Sequence, residues 1–352
     1  MTKTILVDFS ELDSLAGFGE IARNFAPRLA AANEPALKFV FIVPAKHCGE
    51  FGAHIDYLSR EHLKRDVAQY ERKIDLWHAT DQQFRYRRHA KGTLQLLTVH
   101  DLNYRYEKHG IHLLRHQIEM PWLIRRSDAI TVISEYVKHD VEQHIPLLNK
   151  EPQVIYNGIA DVEAMPQQRP LFVKADDERF FLAIGHVREK KNLHTLVPMM
   201  RFFPHHRLLI CGANHWDYAD RIRNMIAFED RQRILLTGKV TNNEKCWLMA
   251  HAEALLFPSK LEGFGIPVLE TMRFGTKVFS SRYSCLPEVC STHASYWDSY
   301  EPEAMAQVVK IGMEGWSRNG EEALKAKNYS KNFNYDRYTA EYLSLYKRLL
   351  GL

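Results

Sequence analysis

The stretch ALLFPSKLEGFGIPVLETMRFGTKVFS, residues 254–280, decides the fold. Its first four residues, 254–257, are apolar and read as a buried strand. A loop carrying Glu262, Gly263, Phe264 and Gly265 follows. Pro267 suits the first position of a helix, where a missing N–H costs nothing, and Gly275 suits the helix exit. Residues 277–280 (KVFS), with Val278 and Phe279 at their centre, read as the next strand. Strand, loop, helix and strand in so short a span form the repeating unit of a parallel sheet. Glu262 then falls in a loop after a strand, and Glu270 in the first turn of a helix.

The same alternation runs outward in both directions. Residues 4–8 (TILVD) read as a strand, 18–32 as an amphipathic helix, and 39–43 (FVFIV) as a second strand ended by Pro44. Residues 76–79, 94–99 and 129–133 are further strands, each followed by polar residues and a helical stretch. The pattern restarts at 154–156, with Asn157-Gly158 as a turn. Residues 160–177 are polar, hold two prolines and show no period, so they read as a linker. Strands at 180–184, 207–211 and 234–236 come next, and 335–350 is a strongly helical tail. The chain is therefore expected to be α/β, with two Rossmann-like, doubly wound domains facing across a cleft. The boundaries expected are 1–160, a linker 161–177, 178–334, and the helix 335–352. Ligands of such sheets bind at the carboxyl ends of strands, and two facing sheets place a cleft between domains.

Composition narrows the function classes. The 352 residues carry a formal charge of +4 with 45% hydrophobic residues. Residues 1–170 hold as many acids as bases, so the basic excess lies in the second half. So mild a surplus argues against nucleic acid, which needs a basic stripe. The densest basic cluster is Arg85, Arg87, Arg88 and Lys91, read either as a solvated loop or as a contact for anionic lipid or a phosphorylated acceptor. Cys48, Cys211, Cys246, Cys285 and Cys290 are odd in number and lack CxxC spacing, which fits a reducing cytoplasm. No signal peptide and no transmembrane helix are expected. The 18 histidines contain no HExxH, and no metal site is expected.

The loop and helix after residue 257 have a chemical use. Glycines let backbone N–H groups approach a ligand, and a helix N-terminus favours phosphate oxygens. Carboxylates accept paired hydrogen bonds from a vicinal diol. A nucleotide sugar offers a sugar diol and a ribose diol separated by a diphosphate. Alone, the segment is equally a glycine turn before a surface helix. However, Glu262 and Glu270, with GFGIPVL between them, resemble the E-x7-E motif of glycosyltransferase family 4 in the GT-B superfamily. Further resemblances follow in family order. They are LTVHDL (97–102, with His100 and Asp101), DAITVISEYV (128–137), VIYNGI (154–159, with Asn157), IGHVREKKNL (184–193) and LTGKV (236–240).

The resemblance implies roles by position. Glu262 would contact the donor sugar, while Gly263, Phe264 and Gly265 would hold sugar or phosphate through backbone N–H groups. Glu270 would hold the ribose diol. Lys191, aided by Arg188, would neutralise the diphosphate. His100 would stand at the reacting carbon, and the glycine loop Gly17-Phe18-Gly19 would face the diphosphate or acceptor. The last helix would return to the N-terminal domain. One departure is His186, where the family often has arginine; a usually neutral imidazole cannot replace a guanidinium fork. Arg188, two positions on, would supply that charge.

The function implied is retaining transfer of a hexose from a GDP- or UDP-linked donor to a glycan or glycolipid acceptor, with bacterial surface polysaccharide synthesis as its setting. The filling GFGIPVLE leans toward GDP-mannose users. No Asp-x-Asp motif appears, so positive side chains are expected in place of a divalent ion, with no cofactor. The leaving phosphate would accept the acceptor's proton, and Glu262 would orient the sugar without attacking it. Paired hydrolase carboxylates contrast with this, one protonating and one attacking. The alternatives are a nucleotide-sugar epimerase of the same architecture and an inactive nucleotide-sugar-binding protein. A dehydrogenase is disfavoured, because Gly17-Phe18-Gly19 does not continue into G-x-G-x-x-G. The expected location is cytoplasmic, at the inner membrane face where peripheral contact is made.

Overall fold

The structure is a computed structural model and describes residues 2–14, 17–70, 73–82, 92–175 and 178–352. The chain divides into two compact units, Met1–Gly158 with Asn334–Leu352, and Ile159–Phe333. Among the described residues the first unit holds seven strands: β1 Lys3–Asp8, β2 Leu37–Val43, β3 Asp56–Ser59, β4 Leu76–Ala79, β5 Leu94–Val99, β6 Ala129–Val132 and β7 Gln153–Val154. They lie in the order β3-β2-β1-β4-β5-β6-β7, every pair parallel. The second unit holds β8 Phe180–Ile184, β9 Arg207–Cys211, β10 Ile234–Gly238, β11 Ala254–Phe257, β12 Lys277–Ser281 and β13 Ser295–Trp297. Their order is β10-β9-β8-β11-β12-β13, again parallel.

The apolar runs explain this arrangement. Parallel strands are covered on both faces and therefore read as continuous hydrophobic stretches. Every residue of β8 and β11 is buried. In each sheet the strand order reverses once, between β1 and β4 and between β8 and β11. At such a switch point the two loops leaving adjacent strands diverge and leave a crevice.

The last helix, Tyr335–Leu350, belongs to the first unit. Tyr335, Tyr338, Tyr342 and Tyr346 repeat at helical spacing and are buried on one face. Tyr338 meets Phe25 edge-on at 5.0 Å between ring centroids. Asn334 caps the helix start, its side chain accepting from the Arg337 N–H, and Gly351 ends it at φ 68°. Beneath it lies a buried polar network. Thr98 Oγ1 is 2.9 Å from the Tyr342 hydroxyl and 2.8 Å from His78 Nε2, while His78 Nδ1 meets the Tyr346 hydroxyl at 2.6 Å. Burial, with His100 nearby, pushes the His78 imidazole down to about 3, so it stays neutral.

Several boundaries differ from the sequence reading. The short strands β3 and β13 were not legible, because four and three residues carry too little pattern. The first helix spans Gly17–Ala31, so Gly17, Phe18 and Gly19 form its first turn instead of a loop. The segment read as a linker packs on the second unit: Ala160 and Val162 cluster with Cys246, and Arg273 reaches Glu163 at 3.4 Å.

Candidate functional site

At the switch point of the second unit the loops after β8 and β11 join. Lys260 N–H and Ser259 Oγ both donate to the Lys190 carbonyl, at 2.7 and 3.2 Å. This seam carries Lys191 to Glu262, Nζ to Oε1 at 2.5 Å, with about an eighth of each side chain exposed. Lys191 Nζ also lies 5.1 Å from the centre of the Phe257 ring. Glu262 is fixed through its backbone: its N–H donates to Ser284 Oγ at 3.1 Å, and its carbonyl accepts from Cys285 Sγ at 3.4 Å. Burial pushes the Cys285 thiol well above its ordinary value, so it behaves as a packed, protonated side chain. The loop geometry depends on Gly212, at φ 148°. A Cβ there would stand 1.9 Å from the Gly185 carbonyl oxygen.

Glu270 departs from expectation. The helix Ile266–Arg273 begins after Gly265, which sits at φ 94°. Pro267 is therefore the second helical residue, still without a backbone partner to lose. Glu270 is the fifth and lies in the second turn, not the first. Its side chain is 1% exposed, and Lys245 Nζ from the helix Asn242–His251 donates to its Oε1 at 2.6 Å. No side chain caps the Ile266–Arg273 helix, and Gly263, Phe264 and Gly265 are buried beside its start. The Phe264 ring packs on Phe333 at 5.9 Å.

The loop after β8 is strongly basic, with Arg188, Lys190 and Lys191 in sequence. Arg188 lies 4.4 Å over the Trp216 ring, and His186 tilts against the same indole at 5.5 Å. Desolvation first, then the surrounding Arg188, Lys191, Lys239 and Lys190, hold the His186 imidazole below its ordinary value. A ring so placed is neutral at pH 7, and the fixed positive charge comes from its neighbours.

The remaining candidates lie in the first unit. His100 is buried after β5; its Nε2 lies 2.7 Å from the Thr80 carbonyl, and its N–H donates to Gln82 Oε1 at 3.1 Å. Burial pushes its imidazole down. Phe18 meets His100 edge-on at 4.8 Å, so the start of the first helix and His100 line one small pocket with Phe9, Glu11, Thr80 and Asp81. Gly19 is sterically required there, because a Cβ would fall 1.9 Å from the Ser14 carbonyl oxygen. Gly17 has open space around it. Asp101 accepts from the Asn103 N–H and Nδ2 at 3.0 and 2.8 Å, just before the short helix Tyr104–Glu107. Asn157 is buried. Arg85, Arg87, Arg88 and Lys91 lie outside the described residues.

Sequence reasoning missed Lys245. Its helix was legible, since Thr241 and Glu244 form a capping box, but nothing in its spacing from Glu270 announces the pair. Among the described residues no group of three or more His, Cys, Asp or Glu is placed to hold a metal ion, and no helix is long and apolar enough to cross a membrane.

These features define a doubly wound α/β protein with paired acids and bases at a switch point. Two family models match it, one described as Glycosyltransferase Family 4 over residues 21–162 and one as Glycosyl transferases group 1 over residues 164–333. The chain belongs to the family 4 glycosyltransferases, with the GT-B fold. It is similar to the O-antigen chain mannosyltransferase RfbU of Salmonella typhimurium, at 26% identity over 61% of this chain and 60% of the relative. It is also similar to the lipopolysaccharide core biosynthesis mannosyltransferase LpcC of Rhizobium leguminosarum, at 28% identity over 67% of this chain and 69% of the relative. The match thus spans less than two thirds of RfbU. Anabaena HepE, solved in complex with UDP and glucose, shares the fold at a TM-score of 0.73 and 15% identity, over 99% of this chain and 100% of HepE.

Proposed function

We propose that this protein is a retaining glycosyltransferase that moves a hexose, in the first instance mannose from GDP-mannose, from a nucleotide-diphosphate sugar to a glycan or glycolipid acceptor in bacterial surface polysaccharide synthesis. The observation that carries the reading is the Lys191–Glu262 pair where the loops after β8 and β11 join, with Glu270 eight residues on. The mannosyltransferase names of RfbU and LpcC support the sugar and the setting; the UDP in HepE keeps a uridine donor as the competing choice.

Cleaving the bond between sugar and diphosphate develops positive charge on the sugar and negative charge on the departing phosphate. Fixed cations aimed at that phosphate act most strongly in a site shielded from water. On this reading the diphosphate takes Glu262's place as the partner of Lys191, with Arg188 adding a second charge. Glu262, released, accepts from the sugar hydroxyls and orients the ring. Glu270 accepts from the ribose diol once Lys245 turns aside. The first-unit pocket of His100 and the start of the Gly17–Ala31 helix receives the acceptor side. The leaving phosphate takes the acceptor's proton, so no side chain serves as nucleophile.

The test is a thermal-shift screen of nucleoside diphosphates and nucleotide sugars. A ligand that binds only the folded state raises the melting temperature. A shift with GDP and GDP-mannose supports the donor; a shift with uridine compounds alone replaces it; no shift with any nucleotide removes the reading.

A further inference from the structure

A cavity of about 370 Å³ opens in the second unit at the start of β12, within the size range of small-molecule sites. Its walls come from Lys277, the turn at Thr292, the end of the helix Pro302–Met313, the segment with Trp316 and Ser317, and the start of the helix Glu321–Ser330. Strands β11 and β12 are parallel, with Ala254 beside Lys277 at their starts. The loop carrying Glu262 leaves the other end of β11. The cavity and the Lys191–Glu262 pair therefore lie at opposite ends of one sheet.

Lys277 is half-buried there, and its Nζ lies 4.3 Å from the centre of the Trp316 ring. The indole is fixed in turn, its Nε1 donating to the Gly275 carbonyl at 3.2 Å. Among the described residues Lys277 Nζ has no hydrogen-bond or ion-pair partner. Desolvation holds its ammonium below the ordinary value, and Glu322 opposes this from beyond ion-pair distance. The carboxylates of Glu321 and Glu322 are engaged by Lys325 Nζ, at 2.7 and 2.9 Å. His293 packs against Tyr329 at 4.5 Å between ring centroids, and desolvation holds its imidazole below the ordinary 6.5. Lys277 is thus the one fixed cation among the described residues that line the cavity.

A half-buried ammonium without an anion gains from one, and the bond is stronger there than in open water. The rim limits the charge of the ligand. Glu314, Glu321 and Glu322 stand around the mouth, so a dianion meets more repulsion than a single carboxylate. Thr292 and Ser317 offer hydroxyls, and the rim carboxylates accept from hydroxyls of a ligand. Ile311, 57% exposed, and the indole supply an apolar wall. We propose that this cavity binds a hexuronate, a sugar ring bearing one carboxylate. The carboxylate pairs with Lys277, the hydroxyls bond to the rim, and the ring C–H groups rest against Ile311 and Trp316. The proposal stands apart from the glycosyl-transfer reading, because the ligand needs neither a nucleotide nor the Lys191–Glu262 pair.

The experiment is a ligand-observed NMR titration of the full chain with methyl glucuronide, methyl glucoside and inorganic phosphate. The glucuronide is expected to bind at least tenfold more tightly than the glucoside, the worth of one charge-assisted bond. Lys277→Met keeps a side chain over Trp316 and is expected to lower the glucuronide affinity to that of the glucoside. Thr292→Trp, at an exposed rim position, is expected to weaken both sugars. Melting temperature establishes that each variant is folded. A saturating nucleoside diphosphate is expected to leave glucuronide binding unchanged. Absence of glucuronide binding, equal affinity for the two sugars, or tighter binding of phosphate overturns the proposal. So does equal glucuronide binding by the parent and either variant, or displacement of the glucuronide by the nucleoside diphosphate.

Discussion

Replacing Lys191 by methionine separates transition-state charge stabilisation from ground-state binding. The substitution keeps the side-chain volume near the Phe257 ring and removes only the ammonium. In the free protein that ammonium is already bonded to Glu262 at 2.5 Å. A bound diphosphate must therefore break one charge-assisted bond to gain another, and each is worth about 1.5–3 kcal/mol. The two nearly cancel, so nucleotide affinity is expected to fall less than about tenfold, as calorimetric titration with a nucleoside diphosphate would show. The transition state is different, because charge grows on the departing phosphate while Glu262 is engaged by sugar hydroxyls. Removing one preorganised donor to such charge costs about 2.7–4 kcal/mol, a loss of about 10²–10³ in kcat. Steady-state rates and titration on the same preparation read both quantities. A rate loss no larger than the affinity loss would refute the exchange of partners. An unchanged rate would remove Lys191 from the diphosphate altogether.

Glu270→Ala is expected to weaken nucleoside diphosphate binding by less than about tenfold, because Glu270 already holds Lys245 in the free protein and exchanges one charge-assisted bond for another; unchanged affinity in a titration removes the ribose assignment. Lys245→Met breaks a pair whose carboxylate is 1% exposed, and urea unfolding of the second unit should show a loss of about 3–5 kcal/mol. Gly212→Ala places a Cβ 1.9 Å from the Gly185 carbonyl oxygen, a strain of about 1–3 kcal/mol that should also shift the Lys191 loop and weaken nucleotide binding; a variant that binds as the parent does would refute the close approach. Transfer assayed in chelator is expected to proceed fully, whereas loss restored by magnesium would assign the phosphate charge to a metal ion.

The strand runs, the doubly wound order and the segment around Glu262 were legible because each depends on local pattern. Apolar runs report burial on both faces, and glycine and proline report the loop and the helix start. The partners of the site residues were not legible, because they depend on how elements far apart in sequence pack. Glu270 is the clearest case. Its helix was foreseen, yet its turn within that helix shifted, and Lys245, 25 residues earlier, closes over it. The cavity beside Lys277 was missed for the same reason, since its walls come from separate elements between residues 277 and 322.

His78 shows the same limit and carries a pH dependence. Alone it is one histidine in a buried strand; its meaning lies in Tyr346, 268 residues away, whose hydroxyl lies 2.6 Å from its Nδ1. Its imidazole is held at about 3 in the fold, against an ordinary 6.5. The folded state therefore keeps it neutral, while the unfolded chain takes up a proton below pH 6.5. The stability this group contributes is fully present above that pH and is lost as pH falls toward 3. At pH 5 the loss from His78 is about 2 kcal/mol, from about 1.5 units at 1.36 kcal/mol each. For a domain of this size that corresponds to a melting temperature lower by about 4–8 °C. Other groups also titrate over this range, so the comparison is between the parent and His78→Gln, which cannot titrate. The parent should lose about 4–8 °C more than the variant between pH 7.5 and pH 5. An equal fall in both would mean that the C-terminal helix is not held over a neutral, buried imidazole, and the acid sensitivity of the first unit would then belong to another group.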